Sequence, residues 1–205
     1  MALSSPFPKC VADGAWVFFG ALRTYALKSG DDGSFNRDKY LRTPTPTLGK
    51  TAPAGRGSTA TPPYHWHLYQ TETFDVNSGI LCYILDGKQG KLQAGETVSI
   101  PPRHWHTFWS DPASGVDLDA NITVRGGPNP GFDETFVRNS YGYLSSCTMQ
   151  NLTPANPIQM LTFMYSADVT PELPLNLGRF ANYALGTWLG WLGGFKSEDS
   201  AFAPK

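Results

Sequence analysis

The sequence predicts an all-β protein, an antiparallel β-barrel at residues 61–170 with an N-terminal arm and a C-terminal helical segment. Three observations support this fold class. Short apolar runs bounded by turn residues recur regularly through 64–125, which is typical of sandwiches and barrels. The chain has 21 glycines and 17 prolines, which favours a turn-rich β-fold over a helix bundle. Apolar residues make up 40% of the chain, enough for a sizeable core.

The N-terminal segment, residues 1–60, is predicted to be an arm that packs on the barrel or on a partner subunit. It carries one apolar stretch, residues 15–27. Residues 43–63 are dense in Pro, Gly, Thr and Ala, a composition typical of an extended arm or loop and not of a helix.

Turns are predicted where Gly, Pro, Asn or Asp interrupts the apolar runs of the barrel. They fall at residues 77–79, 86–87, 89–90, 94–95 and 111–112. The pair Asp86 and Gly87, which follows the run Leu-Cys-Tyr-Ile-Leu, is the strongest hairpin signal, because a type I′ turn needs positive φ at both central residues.

The sequence after the barrel strands is less decisive. Residues 126–157 are rich in turn residues, and the apolar segment 158–169 fits either a strand or a short helix. The sequence Thr170-Pro-Glu has the pattern of a helix start, so residues 171–205 are predicted to be a helical segment and tail. The uncharged run 180–195 holds 16 residues, fewer than the roughly 20 that cross a bilayer, and no membrane span is expected.

All four histidines lie in the barrel region. His65 and His67 are two residues apart, so on a strand their side chains share a face about 6.6 Å apart along the backbone and can converge on one ion. Glu72 lies five residues after His67, an odd offset, so it joins the histidines only if the chain bends or bulges just before it. His104 and His106 repeat the two-residue spacing.

The spacing of these residues resembles the two motifs of the cupin superfamily over about residues 60–125. The first motif is His65-Trp66-His67, four residues, Glu72, six residues, Gly79; the second is Gly95, five residues, Pro101 and then His106. The second motif departs from the family pattern at two positions. Arg103 stands where the family usually has glycine, and Ser110 stands where it often has asparagine.

This resemblance implies a single-domain jelly-roll barrel that holds one divalent metal ion: Fe, Cu, Ni, Mn or Zn. The ligands that it implies are three neutral imidazoles and one carboxylate, from His65, His67, Glu72 and His106. Motif spacing selects His106 in preference to His104. The arrangement of arm, barrel and Gly/Trp-rich tail is also similar to a group of fungal cupin proteins, which implies a role in secondary metabolite biosynthesis.

Alternation along the strands predicts which side chains line the cavity. Phe74 shares the face of Glu72, while His104 and Phe108 share the face of His106. His104 is therefore expected to face the cavity without binding the metal, either as a catalytic proton donor or acceptor or as a hydrogen-bonding group behind the ligands. The predicted substrate-binding residues are Phe74, Arg103, His104 and Phe108, although Arg103 equally fits a surface position.

The opposite face of the same strands is predicted to carry exposed aromatic residues. Tyr64, Trp66, Trp105 and Trp109 should point outward, and so much aromatic area in water is unfavourable. The expected covers are the apolar stretch 15–27, the segment containing Trp188 and Trp191, and a second subunit. A homodimer is therefore expected.

The function predicted from this site is that of a metal-dependent enzyme acting on a small organic substrate, aromatic, enolic or polyketide-like. The best hypothesis is an oxygenase in which Glu72 accepts the substrate proton, as the resemblance to flavonol-type dioxygenases implies. The alternative is a non-redox isomerase, cyclase, dehydratase or decarboxylase, and a second alternative is a non-catalytic small-molecule-binding cupin.

Charge and cysteine content indicate which partners and which cellular compartment to expect. The chain has 16 basic and 17 acidic side chains and no basic run, so nucleic acid is not expected as a partner. Its three cysteines are scattered, and the first residues lack the pattern of a secretory signal. A cytoplasmic protein is expected.

Overall fold

The computed structural model describes residues 15–18, 23–26, 40–43, 55–57, 61–116, 118–127, 132, 134–149 and 155–199. The strands are β1 (Ala15–Phe18), β2 (Arg23–Ala26), β3 (Tyr40–Thr43), β4 (His65–His67), β5 (Thr71–Ser78), β6 (Ile80–Leu85), β7 (Lys88–Gln93), β8 (Thr97–Ile100), β9 (His106–Ser110), β10 (Leu118–Arg125) and β11 (Val169–Pro171). The α-helices are α1 (Glu134–Met149), α2 (Pro157–Ser166), α3 (Gly178–Ala181) and α4 (Gly190–Leu192). A π-helical stretch, Asn182–Leu189, joins α3 to α4, and the three together are called the C-terminal helix.

Two antiparallel sheets make up the jelly roll. The six-stranded sheet has the order β1-β2-β3-β10-β5-β8, and the five-stranded sheet has the order β11-β4-β9-β6-β7. The side chains that alternate inward from both sheets form the core; they include Phe74, Val76, Leu81, Ile100, Phe108, Leu118, Ala120, Ile122 and Val124. The predicted jelly roll of antiparallel strands is confirmed, with two helices, α1 and α2, added to it. Its N-terminal region contributes three of the described strands, and the predicted domain boundaries remain predictions.

The hairpin between β6 and β7 has the predicted turn. Asp86 and Gly87 have φ of 47° and 79°, and Leu85 pairs with Lys88 across them, which is the type I′ geometry. The turn predicted at residues 89–90 is wrong, because Gly90 lies inside β7. A Cβ there would clash with the ring of Tyr83 on the facing strand, so glycine makes room for an aromatic residue at this position.

The chain bends between β4 and β5, as the position of Glu72 required. The strand β4 belongs to the five-stranded sheet, and β5 belongs to the six-stranded sheet. Glu72, Phe74 and Val76 are the buried residues of β5. The bend therefore transfers the chain from one sheet to the other and leaves the carboxylate facing the histidines of the first.

The segment predicted to be rich in turns contains the 16-residue helix α1. The apolar segment 158–169, which fitted either a strand or a helix, forms mainly the helix α2. This helix begins after Asn156, whose side chain accepts hydrogen bonds from the N–H groups of Ile158 and Gln159. The helix start predicted at Thr170 is wrong. Thr170 lies in β11 and pairs with Trp66 of β4, because strand pairing satisfies the same backbone groups that a first helical turn would leave unpaired.

The C-terminal helix packs on the protein through small residues at every fourth position. Gly178, Asn182, Gly186 and Gly190 are buried, and a Cβ on Gly186 would lie 2.6 Å from the carbonyl oxygen of Leu161 in α2. An α-helix has 3.6 residues per turn and a π-helix has more. A helix that contains both types of turn averages close to four residues per turn, so residues at every fourth position face the same side of the helix.

The bulky residues of this region point away from the protein. Nine apolar side chains between 175 and 192 are 37% to 88% exposed: Leu175, Leu177, Phe180, Tyr183, Leu185, Trp188, Leu189, Trp191 and Leu192. Among the described residues, no helix combines the length and the hydropathy that a membrane crossing requires. The C-terminal helix thus presents small residues inward and large apolar residues to solvent.

Neither of the two covers predicted from this chain lies over the outward aromatic face among the described residues, and cover by a second subunit stays a prediction. Trp109 is covered, being 7% exposed, but the guanidinium of Arg56 lies over its ring at 5.6 Å. Tyr64 stacks on Trp105 with ring centroids 5.5 Å apart. The strands within the apolar stretch 15–27 lie in the other sheet, and Trp188 and Trp191 are themselves exposed.

Candidate metal centre

Four side chains from two sheets converge inside the jelly roll. His65, His67, Glu72 and His106 are 1% to 4% exposed, and one ligand atom from each lies within 4.8 Å of the others. His65 and His106 are directly paired across β4 and β9, with ring centroids 4.3 Å apart. The structure thus brings together all four residues that motif spacing had identified.

Backbone carbonyl groups fix the orientation of two of the imidazole rings. The Nδ1–H of His65 donates to the carbonyl of Pro63 at 2.7 Å, and the Nδ1–H of His106 donates to the carbonyl of His104 at 2.9 Å. In a neutral imidazole this leaves Nε2 as a lone-pair donor. Such hydrogen bonds on the distal nitrogen are the usual support of a metal-binding histidine.

Electrostatics keep His65 neutral. Burial, together with the nearby His106 and His67, lowers the pKa of His65 well below its ordinary value, and Glu72 only partly opposes the shift. Because a protonated imidazole cannot bind a metal, this shift preserves the ligand form of His65 below neutral pH.

Glu72 is held as a carboxylate. Burial alone would raise its pKa, but hydrogen bonds and charge interactions with His106 and His67 outweigh burial and bring the pKa well below its usual range. The Oε2 of Glu72 lies 2.8 Å from Nε2 of His106 and 3.4 Å from Nε2 of His67. His65 and Glu72 therefore favour the protonation states that coordination needs.

The donor set fits a divalent transition metal. The Nε2 lone pair of neutral His106 and the carboxylate of Glu72, 2.8 Å apart, repel each other unless a proton or a cation stands between them. Three imidazole nitrogens and one carboxylate suit Fe, Mn, Ni, Cu or Zn. Four protein ligands also leave positions on an octahedral ion open to a substrate.

The backbone of Arg103 supports the strand that carries the ligands. Its N–H donates to the carbonyl of His67 at 2.8 Å, and its φ is 67°. Only glycine adopts this region readily, which gives a physical reason for the glycine usual at this motif position. The Arg103 side chain is exposed and does not line the cavity beside His65 and Glu72, which we call the metal cavity. This placement fits the surface position that the sequence also allowed.

His104 does not face the cavity, and this expectation is corrected. Its side chain is 46% exposed, and its Nδ1 lies 2.6 Å from Oδ2 of Asp86 at the β6–β7 turn. Alternation fails here because β9 begins only at His106. Residue 104 belongs to a loop that follows left-handed Arg103, and no catalytic or substrate-binding role is carried forward for it.

The two phenylalanines differ in position. Phe108 lines the metal cavity. Phe74 is completely buried and packs against Phe108 with ring centroids 4.7 Å apart, but it is not part of the cavity wall. Phe74 thus supports the position of the ring that faces the cavity.

Most of the remaining wall comes from residues that the sequence reasoning missed. The cavity offers about 60 Å³ to the centres of water-sized molecules, and helices α1 and α2 cover it. The helical residues on its wall are Phe136, Ser140, Tyr141 and Leu144 from α1, and Met160 and Met164 from α2. Phe132 packs edge-on against His67 with centroids 5.2 Å apart. The four-residue spacing of these positions was the sequence signal for both helices.

The chain is similar to known proteins along the strands just described. The family described as Cupin domain matches residues 56–114. The probable oxidoreductase virH of Hypocrea virens is 31% identical over 210 residues, which cover 97% of this chain and 91% of the relative.

A second relative and a solved structure match smaller shares. The epoxidase atD of Aspergillus terreus is 30% identical over 143 residues, which cover 66% of this chain and 44% of that enzyme. This chain therefore spans less than half of the epoxidase. The cupin domain of Schizosaccharomyces pombe Cnp3 matches 51% of this chain and 65% of its own, with a TM-score of 0.39 and 10% identity. The family match includes all four candidate ligands.

Proposed function

The chain belongs to the cupin superfamily, and from this premise we propose that it is a metal-dependent oxygenase acting on a small, largely apolar organic molecule. Relatives that are named oxidoreductase and epoxidase support an enzyme. The observation that carries the proposal is the buried cluster of three histidines and Glu72, which borders a cavity with mainly apolar walls.

The cavity wall indicates the class of substrate. Its side chains are mostly carbon, from Phe108, Ile122, Phe132 and Phe136 and the two methionines of α2. Such a surface favours an aromatic or polyketide-like body. His65 and Glu72 are the candidate metal ligands on this wall, so we expect the substrate to present an enol or phenol oxygen there and to leave its apolar part against the phenylalanines and methionines.

The reactive roles follow from the same arrangement. A bound divalent metal would act as a Lewis acid toward the substrate oxygen and provide a site for O₂ chemistry. Glu72 is the only carboxylate of the cavity wall among the described residues, and it is ionised, so it is the group that can accept the substrate proton. The apolar cover from α1 and α2 keeps water away from the reacting atoms.

Oxygen uptake tests this proposal. Metal-loaded protein is mixed with a panel of phenols and enols in an oxygen electrode, and product formation is followed in parallel. We expect uptake that Glu72→Gln abolishes and that His104→Ala, outside the cavity, retains. Turnover without oxygen uptake would indicate the isomerase, cyclase, dehydratase or decarboxylase alternative. Substrate binding without turnover would indicate a non-catalytic binding cupin.

We also propose that the protein is a homodimer joined through the outward face of the C-terminal helix. At about 200 Å² per fully exposed bulky side chain, the eight exposed residues of this region other than Tyr183 present roughly 1,000 Å² of apolar surface. This exceeds the largest patch of a typical monomer, about 300–600 Å², and matches the roughly 800 Å² that each partner buries in a stable complex. Light scattering should give a dimer, and Trp188→Glu should give a monomer. A monomeric parent protein would contradict this proposal.

A further inference from the structure

A second cavity lies outside the metal centre. It has a volume of about 530 Å³ and is bounded by β11, the bend after β4 and the beginning of the C-terminal helix. It shares only Val169 with the wall of the metal cavity. Its size lies within the range of about 300–1,000 Å³ typical of small-molecule sites. We refer to this cavity as the tyrosine pocket.

Three tyrosine side chains give the tyrosine pocket its name. Tyr69, Tyr165 and Tyr183 all lie on its wall and are 41%, 43% and 53% exposed. The rings of Tyr165 and Tyr183 have centroids 6.2 Å apart and are tilted by 56°. Aromatic faces in this arrangement offer both an apolar contact and an attraction for a cation.

A buried amide on the pocket wall has an unsatisfied acceptor. Asn182 is 4% exposed, and its Nδ2–H donates to the carbonyl of Val169 at 2.6 Å. Its Oδ1 is buried and accepts no hydrogen bond from the described residues. Leaving such a buried acceptor without a hydrogen bond is unfavourable. A ligand with an N–H donor would satisfy it.

Two opposite charges line the tyrosine pocket without pairing. Within the described residues, Asp168 and Arg179 form no salt bridge with each other, although their charges interact. The backbone around Asp168 is strained, with φ of 55°, and is held by the N–H of Leu68, which donates to its carbonyl at 2.9 Å. Partial burial raises the pKa of Asp168, and Arg179 lowers it. A cation beside Asp168 would offset the cost of this burial.

The start of the C-terminal helix is fixed against the strand below the pocket. A Cβ on Gly178 would clash with the carbonyl oxygen of Pro171 in β11. Glycine thus allows helix and strand to touch. Arg179 follows directly, and Asn182 lies one turn later, so both polar groups are attached to a backbone held in place by this contact.

We propose that the tyrosine pocket binds a small zwitterion of the amino-acid class with an apolar or aromatic side chain. Its ammonium group is bound by the Asp168 carboxylate and by Asn182 Oδ1, against the faces of the tyrosines. Its carboxylate is bound by the exposed guanidinium of Arg179. The site is separate from the metal centre. It gives one ligand group each to Asp168 and Arg179, which form no salt bridge with each other, and to Asn182 Oδ1, which accepts no hydrogen bond from the described residues.

Isothermal titration of the full-length, metal-loaded protein with three matched probes tests this site. L-phenylalanine carries both charges, phenethylamine lacks the carboxylate, and 3-phenylpropanoate lacks the ammonium group. We expect L-phenylalanine to bind most tightly and 3-phenylpropanoate most weakly. Asp168→Asn should weaken L-phenylalanine and phenethylamine about tenfold, the effect of losing a charge-assisted hydrogen bond. Arg179→Gln, at an exposed position, should weaken L-phenylalanine and leave phenethylamine unchanged.

A cavity variant identifies where the probe binds. Phe136→Ala enlarges the metal cavity and does not touch the tyrosine pocket, so it should leave L-phenylalanine binding unchanged. Weakening by Phe136→Ala with no effect of Arg179→Gln would place the probe at the metal centre and overturn the proposal. It would also be overturned by the absence of saturable binding of L-phenylalanine at tens of millimolar, or by equal affinities for the three probes.

Discussion

His106 Nε2 and Glu72 Oε2 lie 2.8 Å apart and join the two sheets of the jelly roll at the candidate metal centre. His106 is the first residue of β9, and Glu72 is the second residue of β5. The other ring nitrogen of His106, Nδ1, already makes a hydrogen bond with the carbonyl of His104. The nitrogen that faces Glu72 is therefore the one available to a metal.

Alanine substitutions at His104 and His106 should have different effects on the metal content of the protein. His106→Ala removes a proposed ligand, so metal affinity should fall by more than the roughly 10–100-fold that follows loss of a supporting hydrogen bond. His104→Ala removes an exposed pair with Asp86 and should leave metal content unchanged. Metal per chain, measured by elemental mass spectrometry after purification, compares them. Metal loss only in the His104 variant would reverse the ligand assignment.

Replacing Arg103 by glycine should stabilise the protein. Arg103 has φ of 67°, and this left-handed conformation costs a residue with a Cβ about 1–2 kcal/mol. Glycine avoids that cost, but its greater freedom in the unfolded chain cancels part of the gain. We expect a gain of about 0.5–1 kcal/mol in the free energy of unfolding, measured by denaturant titration.

The control for Arg103→Gly is the replacement of a glycine by alanine at another position with positive φ. Gly95 has φ of 87°, and a Cβ there would meet nothing within 4 Å, so Gly95→Ala should destabilise through backbone strain alone. If Arg103→Gly also destabilises, the exposed guanidinium makes a stabilising contact and the strain argument is wrong.

The stability of metal-free protein should fall as the pH decreases below the ordinary histidine pKa of about 6.5. Burial lowers the pKa of folded His65, so in this window the unfolded chain binds a proton that the folded chain does not. One such group contributes at most about 1.4 kcal/mol per pH unit. Glu72, whose pKa is lowered in the folded protein, changes the folding stability only at lower pH. Its contribution is fully present above the unfolded carboxyl pKa of about 4.3 and is lost on further acidification.

Chemical denaturation at about pH 7.5 and about pH 5.5 measures this dependence. His65→Gln cannot titrate in this range, so its free energy of unfolding should vary less between the two conditions than that of the parent protein. Equal pH dependence in both proteins would show that His65 is not the group responsible.

Deleting residues 180–205 should yield insoluble protein. The C-terminal helix packs on α2, where Gly186 meets Leu161 and the carbonyl of Lys196 accepts from Gln159, so the deletion uncovers buried surface of that helix. Gly186→Ala should destabilise by about 1–3 kcal/mol through overpacking, whereas Ala184→Ser on the same helix should change stability by less than about 0.5 kcal/mol. A soluble, metal-loaded truncated protein would contradict the expectation.

The sequence was most informative where local chemistry alone determines conformation. Positive φ at Asp86 and Gly87 follows from the residue types, and the ligand positions follow from strand alternation and motif spacing. The bend before Glu72 could be deduced because an odd offset had to be corrected. These features depend on few residues and little on distant contacts.

Prediction failed where tertiary contacts decide between local alternatives. Thr170 has the chemistry of a helix start, but the edge of β4 was available for pairing. Alternation could not be extended back from His106 to His104, since the strand begins between them. Helix α1 was missed because its serines and Gly142 resemble turn residues, although Phe136, Ser140 and Leu144 have helical spacing.

Metal identity and stoichiometry of the natively folded, untagged protein, measured by elemental mass spectrometry, test the central claim most directly. The four-ligand site predicts about one divalent transition metal per chain. Iron, copper or nickel at that ratio would support oxygen chemistry, and zinc would favour the non-redox alternative. Protein that holds no metal, even after reconstitution with each of these ions, would contradict the account.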